Sequence, residues 1–171
     1  LHDGVIAGTA LPPKSLALRK GIGEGAKRGT GEGGGLEIVF RPDPTIWDGR
    51  FANNGWLQEL PKPITRLIWD NAVLVSPATA ERLGLRYVVG QSGGEHGRIF
   101  ADVVELKYRD QTLRAPAWIA PGHADGCVTV HYGYGRTRAG RVGNGTGFNA
   151  YALRTSDAPH FGSGLQVKNT G

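Results

Sequence analysis

Between Gly126 and Ser156 the chain carries four arginines (Arg136, Arg138, Arg141, Arg154), no acidic residue, and six glycines at 133, 135, 140, 143, 145 and 147. Glycine lets backbone N–H groups come close to a ligand, and successive N–H groups in turns form an anion-binding nest. Arginine adds bidentate phosphate recognition. Together they could hold a diphosphate or dock an acidic neighbouring domain; the alternative is a solvated basic loop. The segment matches no phosphate-loop pattern, since G-x-x-x-x-G-K-[ST] is absent and no G-x-G-x-x-G lies between a strand and a helix. The histidines at 2, 96, 123, 131 and 160 include no i, i+4 pair of the H-E-x-x-H kind, and read as scattered surface or barrel residues. The single Cys127 excludes an internal disulfide and any cysteine-ligated zinc or iron–sulfur cluster within this chain. No nucleophile–base pair is visible, so no catalytic residue is expected here.

Elements must hold these groups in place. Leu36-Glu37-Ile38-Val39-Phe40 predicts a strand ended by Arg41-Pro42-Asp43-Pro44. A loop rich in Asn, Asp and Gly follows, through Trp47, Phe51 and Trp56. Ala72-Val73-Leu74-Val75 suits a strand buried on both faces. It runs into a short helix with Ser76 as N-cap, Pro77 at N1 and Gly84 as the left-handed stop. Leu85–Val89 predicts a third strand. Arg98–Tyr108 predicts a fourth, with a slip at Val103-Val104 that reads as a bulge. Thr112–Ile119 completes a hairpin, with Pro116 marking an edge or bulge. Gly126–Tyr132 makes a sixth strand, and a small closed barrel fits strands this short. Residues 1–35 read as a flexible connecting arm, with eight glycines between Gly21 and Gly35. The barrel is expected over 36–155 and a tail over 156–171.

Composition sets the outer limits. The 171 residues suffice for one domain with a real core. The 28 Gly and 10 Pro lie above average usage, yet 39% hydrophobic residues still permit burial. No apolar run is long enough for a transmembrane helix. The net charge of +5 is spread out with no run of five, which argues against a nucleic-acid arm and points only weakly to an anionic partner. Methionine is absent throughout, so the chain reads as part of a longer protein.

Several motifs together carry a resemblance. Asn54-Gly55-Trp56-Leu57-Gln58-Glu59-Leu60-Pro61-Lys62-Pro63, Trp69-Asp70-Asn71 and Ser76-Pro77-Ala78-Thr79-Ala80 come first. Pro121-Gly122-His123-Ala124-Asp125-Gly126, Gly133-Tyr134-Gly135-Arg136-Thr137 and Gly147-Phe148-Asn149-Ala150-Tyr151 follow in order. The chain over roughly 36–155 resembles the C-terminal, molybdopterin dinucleotide-binding domain of the dimethyl sulfoxide reductase superfamily. A narrower likeness, in Phe40–Phe51, Trp69–Ala72 and Leu1–Ser15, is to the large iron–sulfur subunit of the bacterial quinol:cytochrome c oxidoreductase, alternative complex III.

The resemblance implies a mainly β fold, a six-stranded double-psi β-barrel with one or two short helices. It implies a bacterial, membrane-associated periplasmic complex, with other domains and subunits of the parent oxidoreductase as partners. It implies neither nucleic acid nor direct membrane insertion. In cofactor-binding relatives the barrel closes over molybdopterin guanine dinucleotide, and the positions matching Asn71, His131, Gly133, Gly135, Arg136 and Asn149 contact it. In the narrower lineage that cofactor is lost and the clusters lie in another portion. Asn71 and Asn149 read equally as structural residues, while Trp56 and Trp69 read as core packing. Two readings follow: a cofactor-free scaffold and interaction domain, or a domain that closes over the dinucleotide. A stand-alone decarboxylase-like barrel ranks below both, because the only Gly-Ser step, Gly162-Ser163, falls in the expected tail. No metal ligand is expected within the chain.

Overall fold

The computed structural model describes residues 7–8, 11–17, 35–89 and 99–171. β1 (Leu36–Arg41) alternates Ile38 and Phe40 inward with Glu37, Val39 and Arg41 outward, the period-two pattern of a half-buried strand. β2 (Val73–Val75) turns Val73 and Val75 inward and Leu74 outward. β3 (Tyr87–Val89) and β4 (Ile99–Ala101) form a separate two-stranded antiparallel sheet. β5 (Val103–Tyr108), β6 (Gln111–Ile119), β7 (Cys127–His131) and β8 (Phe161–Asn169) complete the set.

The barrel closes in the order β1-β7-β2-β6-β5-β8 and back to β1. Two neighbouring pairs, β1–β7 and β2–β6, are parallel; β2–β7, β5–β6, β5–β8 and β1–β8 are antiparallel. The fold is thus mainly β, a closed six-stranded mixed barrel with a few short helices. Ile38, Val73, Val75, Val104, Leu106, Val128, Val130 and Leu165 fill its interior at zero exposure, the dry packing that lends most stabilisation.

Six strands are expected and six close the barrel, but the membership differs. The predicted strand at 85–89 shortens to β3 and stays outside. The predicted bulge at Val103-Val104 is instead a break at Asp102 between β4 and β5. The Asp102 carboxylate fastens the break by accepting from the Arg86 amide (2.9 Å) and Asn169 Nδ2 (3.1 Å). Pro116 is neither at an edge nor in a bulge. It sits where the β5 ladder ends at Val103 and the β2 ladder begins at Ala117. A residue at such a handover can lack an N–H without leaving a ladder bond unmade.

The expected tail is the largest correction. β8 pairs with both β1 and β5, so the barrel extends to Asn169 and a boundary at 155 would leave it open. Close packing explains Gly162, where a Cβ would stand 2.0 Å from the Tyr108 hydroxyl, while Gly164 serves its backbone angle, φ 89°.

The helices are short. α1 (Gly55–Glu59) is capped by Asn54, whose side chain accepts from the Leu57 amide at 3.3 Å. α2 (Pro77–Leu83) has the punctuation its sequence announces, with Ser76 at the N-cap, Pro77 at N1 and Gly84 at φ 64°. Ser76 also donates to Asp125 at 2.5 Å, and Thr79 Oγ1 accepts from the Gly126 amide at 3.0 Å. The helix start thereby fixes the turn that launches β7. α3 (Gly140–Gly143) is one turn, and a 3-10 turn spans Ala150–Leu153.

Contacts divide the chain into Leu1–Thr30 and Gly31–Gly171. In the first unit residues 11–17 have no regular structure, with Leu11 and Leu16 exposed. The remainder of the expected arm, apart from residues 7, 8 and 35, lies outside the described residues. Among the described residues no helix is long and apolar enough to cross a membrane.

Candidate functional site

Asn71 stands at the approach to β2, 2% exposed. Its amide Nδ2 donates to the carbonyls of His131 (2.9 Å) and Phe148 (3.1 Å), and its Oδ1 accepts from the Phe148 amide (2.9 Å). One side chain therefore clasps the end of β7 to the segment that carries the 3-10 turn. Gly147, at φ 68°, passes so close that a Cβ there would lie 2.6 Å from Asn71 Oδ1.

The Gly/Arg segment folds back on the chain in the same way. Gly133 packs against Gly49, and a Cβ on it would reach the Gly49 Cα at 2.9 Å. Gly135 lies against the Asn149 backbone, where a Cβ would stand 2.4 Å from the amide nitrogen. Arg136 donates to Asn53 Oδ1 at 2.8 Å. Asn149 caps the 3-10 turn by accepting from the Tyr151 amide at 3.1 Å. Of the six candidates, Asn71 and His131 line the main cleft. Gly133, Gly135, Arg136 and Asn149 stand apart from it.

That cleft, of about 720 Å³, lies over the outer face of β1, β7 and β2, within the size range of small-molecule sites. Its floor takes Val39 and Arg41 from β1, Leu74 from β2, and Cys127, Thr129 and His131 from β7. The last three alternate with the buried Val128 and Val130, so strand period alone brings a thiol, a hydroxyl and an imidazole onto one face. The loops 62–67 and 120–124 form its walls.

Two polar arrangements stand in it. His123 Nδ1 faces the Ala124 carbonyl at 3.1 Å, and Nε2 faces Thr129 Oγ1 at 2.8 Å. A carbonyl only accepts, so the proton is assigned to Nδ1 and the Thr129 hydroxyl donates to Nε2. The second centres on Asp43. Its Oδ1 accepts from the amides of Thr45 (2.9 Å) and Ile46 (3.1 Å) and from the Thr45 hydroxyl (2.6 Å). Its Oδ2 is buried without a hydrogen bond, with Lys62 Nζ 3.8 Å away. Lys62 itself donates to the Asp70 carbonyl at 2.8 Å and lies 4.8 Å from the centre of the Tyr134 ring.

Burial governs the charges. It pulls the Lys62 ammonium below its ordinary pKa, against the opposing pull of Asp43 and Asp70. It pushes the Asp70 carboxyl up, partly offset by the Asn71 amide that donates to it. It lowers the His131 imidazole despite the nearby Asp43 carboxylate, so the neutral ring is favoured. Burial also raises the Cys127 thiol, helped by the Glu37 carboxylate at 3.6 Å, which makes it a poor nucleophile. No group of three or more His, Cys, Asp or Glu among the described residues could hold a metal ion.

Asp43, Lys62, Thr129 and His123 join the cleft without having been singled out in the sequence. For Thr129 a signal exists, the outward alternation Cys127, Thr129, His131. For Asp43 and Lys62, each flanked by prolines, the sequence suggests turns rather than a buried ion pair. Trp56, expected in the core, is instead 87% exposed. Trp69 is half-buried, its indole against Gly55 and Gly143. No protein-family model matches the chain, and no curated protein matches it either.

Proposed function

We propose that the chain is a scaffold and interaction domain of a molybdopterin oxidoreductase-like respiratory electron-transfer subunit, of the alternative complex III kind, with no cofactor of its own. The commitment of Asn71 carries this reading. Amide side chains recognise a pterin edge by offering free donors and acceptors, whereas Asn71 spends both donors and its acceptor on His131 and Phe148. Asn149 gives its Oδ1 to a cap, and a Cβ on Gly133 or Gly135 would meet the chain's own backbone. So committed, Asn71 has no donor left to offer a pterin edge. The finer fold reading, a double-psi barrel, draws support from two parallel strand pairs within one closed six-stranded ring.

The competing reading is a domain that closes over molybdopterin guanine dinucleotide. The two diverge in one measurement on the parent protein, denatured and oxidised with iodine. The scaffold reading expects no pterin fluorescence, and a pterin spectrum overturns it in favour of the dinucleotide-binding domain. On the chain itself, GDP titrated against tryptophan emission is expected to give no saturable change.

A further inference from the structure

Among the described residues Trp56 is the most exposed large aromatic, at 87%, and it has company. Leu60, one helical turn on, is 57% exposed, and Val142 is 60% exposed. Trp56 lies in α1, Leu60 caps its end, and Val142 lies in α3. The Trp69 indole lies 3.6 Å from the position of a Cβ on Gly55 and 3.4 Å from one on Gly143. α1 and α3 therefore pack on the same ring, and Trp56 and Val142 are each next in chain to one of those glycines. The Arg136–Asn53 hydrogen bond ties the Gly/Arg segment to the residue preceding the α1 cap. Arg138 and Arg141 are exposed, and neither makes an ion pair among the described residues.

Large exposed apolar groups with a polar rim mark interaction sites, and Trp and Arg are the residues that most often dominate interfaces. On the α3 side the surroundings are cationic, for no acid lies between Gly126 and Ser156. A second copy of this chain would bring like charges together. Glu59, next in chain to Leu60, adds a carboxylate to the face, which a structured partner can match with one cation and an anionic bilayer cannot. We infer that the Trp56–Leu60–Val142 face docks a protein surface that receives Trp56 in an apolar socket ringed by carboxylates opposite Arg136, Arg138 and Arg141. The inference rests on the scaffold reading and gives that scaffold its docking face.

The test pans a random peptide library displayed on phage against the immobilised chain. Enriched peptides are expected to combine an aromatic or aliphatic cluster with Asp and Glu. Their affinity is expected to fall at least about tenfold for Trp56→Ala, as for an interface anchor. The double variant Arg138→Glu/Arg141→Glu should reverse the preference toward basic peptides. All three side chains are solvent-facing, so each variant is expected to keep the parent's thermal midpoint, which circular dichroism checks. No enrichment, enrichment without acidic residues, or peptides indifferent to Trp56→Ala overturns the inference. So does Trp56-dependent binding to phosphatidylglycerol vesicles in place of peptides, which would make the face a membrane contact. Pterin fluorescence from the parent protein overturns the scaffold reading alone, so the two failures remain distinguishable.

Discussion

Asn71 joins segments 60 and 77 residues away along the chain, and removing its amide would strand three buried backbone groups. Each such group costs about 1–3 kcal/mol when left unpaired. Partial relaxation sets the expected loss for Asn71→Ala at about 2–4 kcal/mol, read from the urea midpoint at unchanged slope. A ligand-binding asparagine free of such bonds would lose far less in the absence of ligand. His131 makes the pH prediction. Its folded pKa lies below the ordinary 6.5 because burial disfavours the imidazolium. Between that lowered value and 6.5 the unfolded chain binds more protons, so stability falls as pH falls through the window. His131→Gln should flatten this acid limb in thermal melts between pH 7 and 5. Asp70, with its pKa raised, works in the opposite sense at lower pH, while the Asp43 carboxylate favours the His131 imidazolium and Lys62, Arg41 and His123 disfavour it. An unchanged slope in the variant would show that His131 is not the titrating group.

Elements differ in how openly their sequences declare them. α2 is written locally, since a cap, an N1 proline and a left-handed glycine each act within a turn of their own position. β8 is not, because Phe161-Gly162-Ser163-Gly164 carries the residues of a turn and only Leu165 is fully buried. That strand forms because β1 and β5 both present open edges to it, a demand made more than fifty residues away. Gly162 is set by the same distant neighbour, and this yields a paired test. Gly162→Ala should destabilise by about 1–3 kcal/mol, as overpacking does, since its Cβ meets the Tyr108 hydroxyl. Tyr108→Phe removes the nearest atom and leaves the ring carbon at 3.0 Å, so the double variant should recover part of that loss. Additive losses would place the strain elsewhere. The site obeys the same division. Asn71 and His131 are recognisable as polar residues in or beside strands, but the Asn71 clasp exists only once segments 60 and 77 residues away have come together, and the Asp43–Lys62 pair only once two proline-flanked loops meet. The Thr129–His123 bond, six residues long, is a local one.

For the whole molecule, closure is the decisive property. A chain ended after Arg154 keeps every helix and five barrel strands but leaves β1 and β5 with bare edges. Unpaired edges invite association with other chains. That truncation is expected to lose the sharp thermal transition and to elute as aggregate in size-exclusion chromatography; a monomer with a cooperative melt would mean that five strands suffice. The β1–β8 pairing has a second effect. Leu36, where the barrel begins, lies opposite Leu165, and four further residues of β8 span only roughly 13 Å at strand rise. The barrel's incoming and outgoing chain thus leave from one corner. Such a unit behaves as a cassette: a short linker can join the two junctions, new termini can be cut at an outlying turn such as Arg109-Asp110, and the permuted chain should still close the same ring.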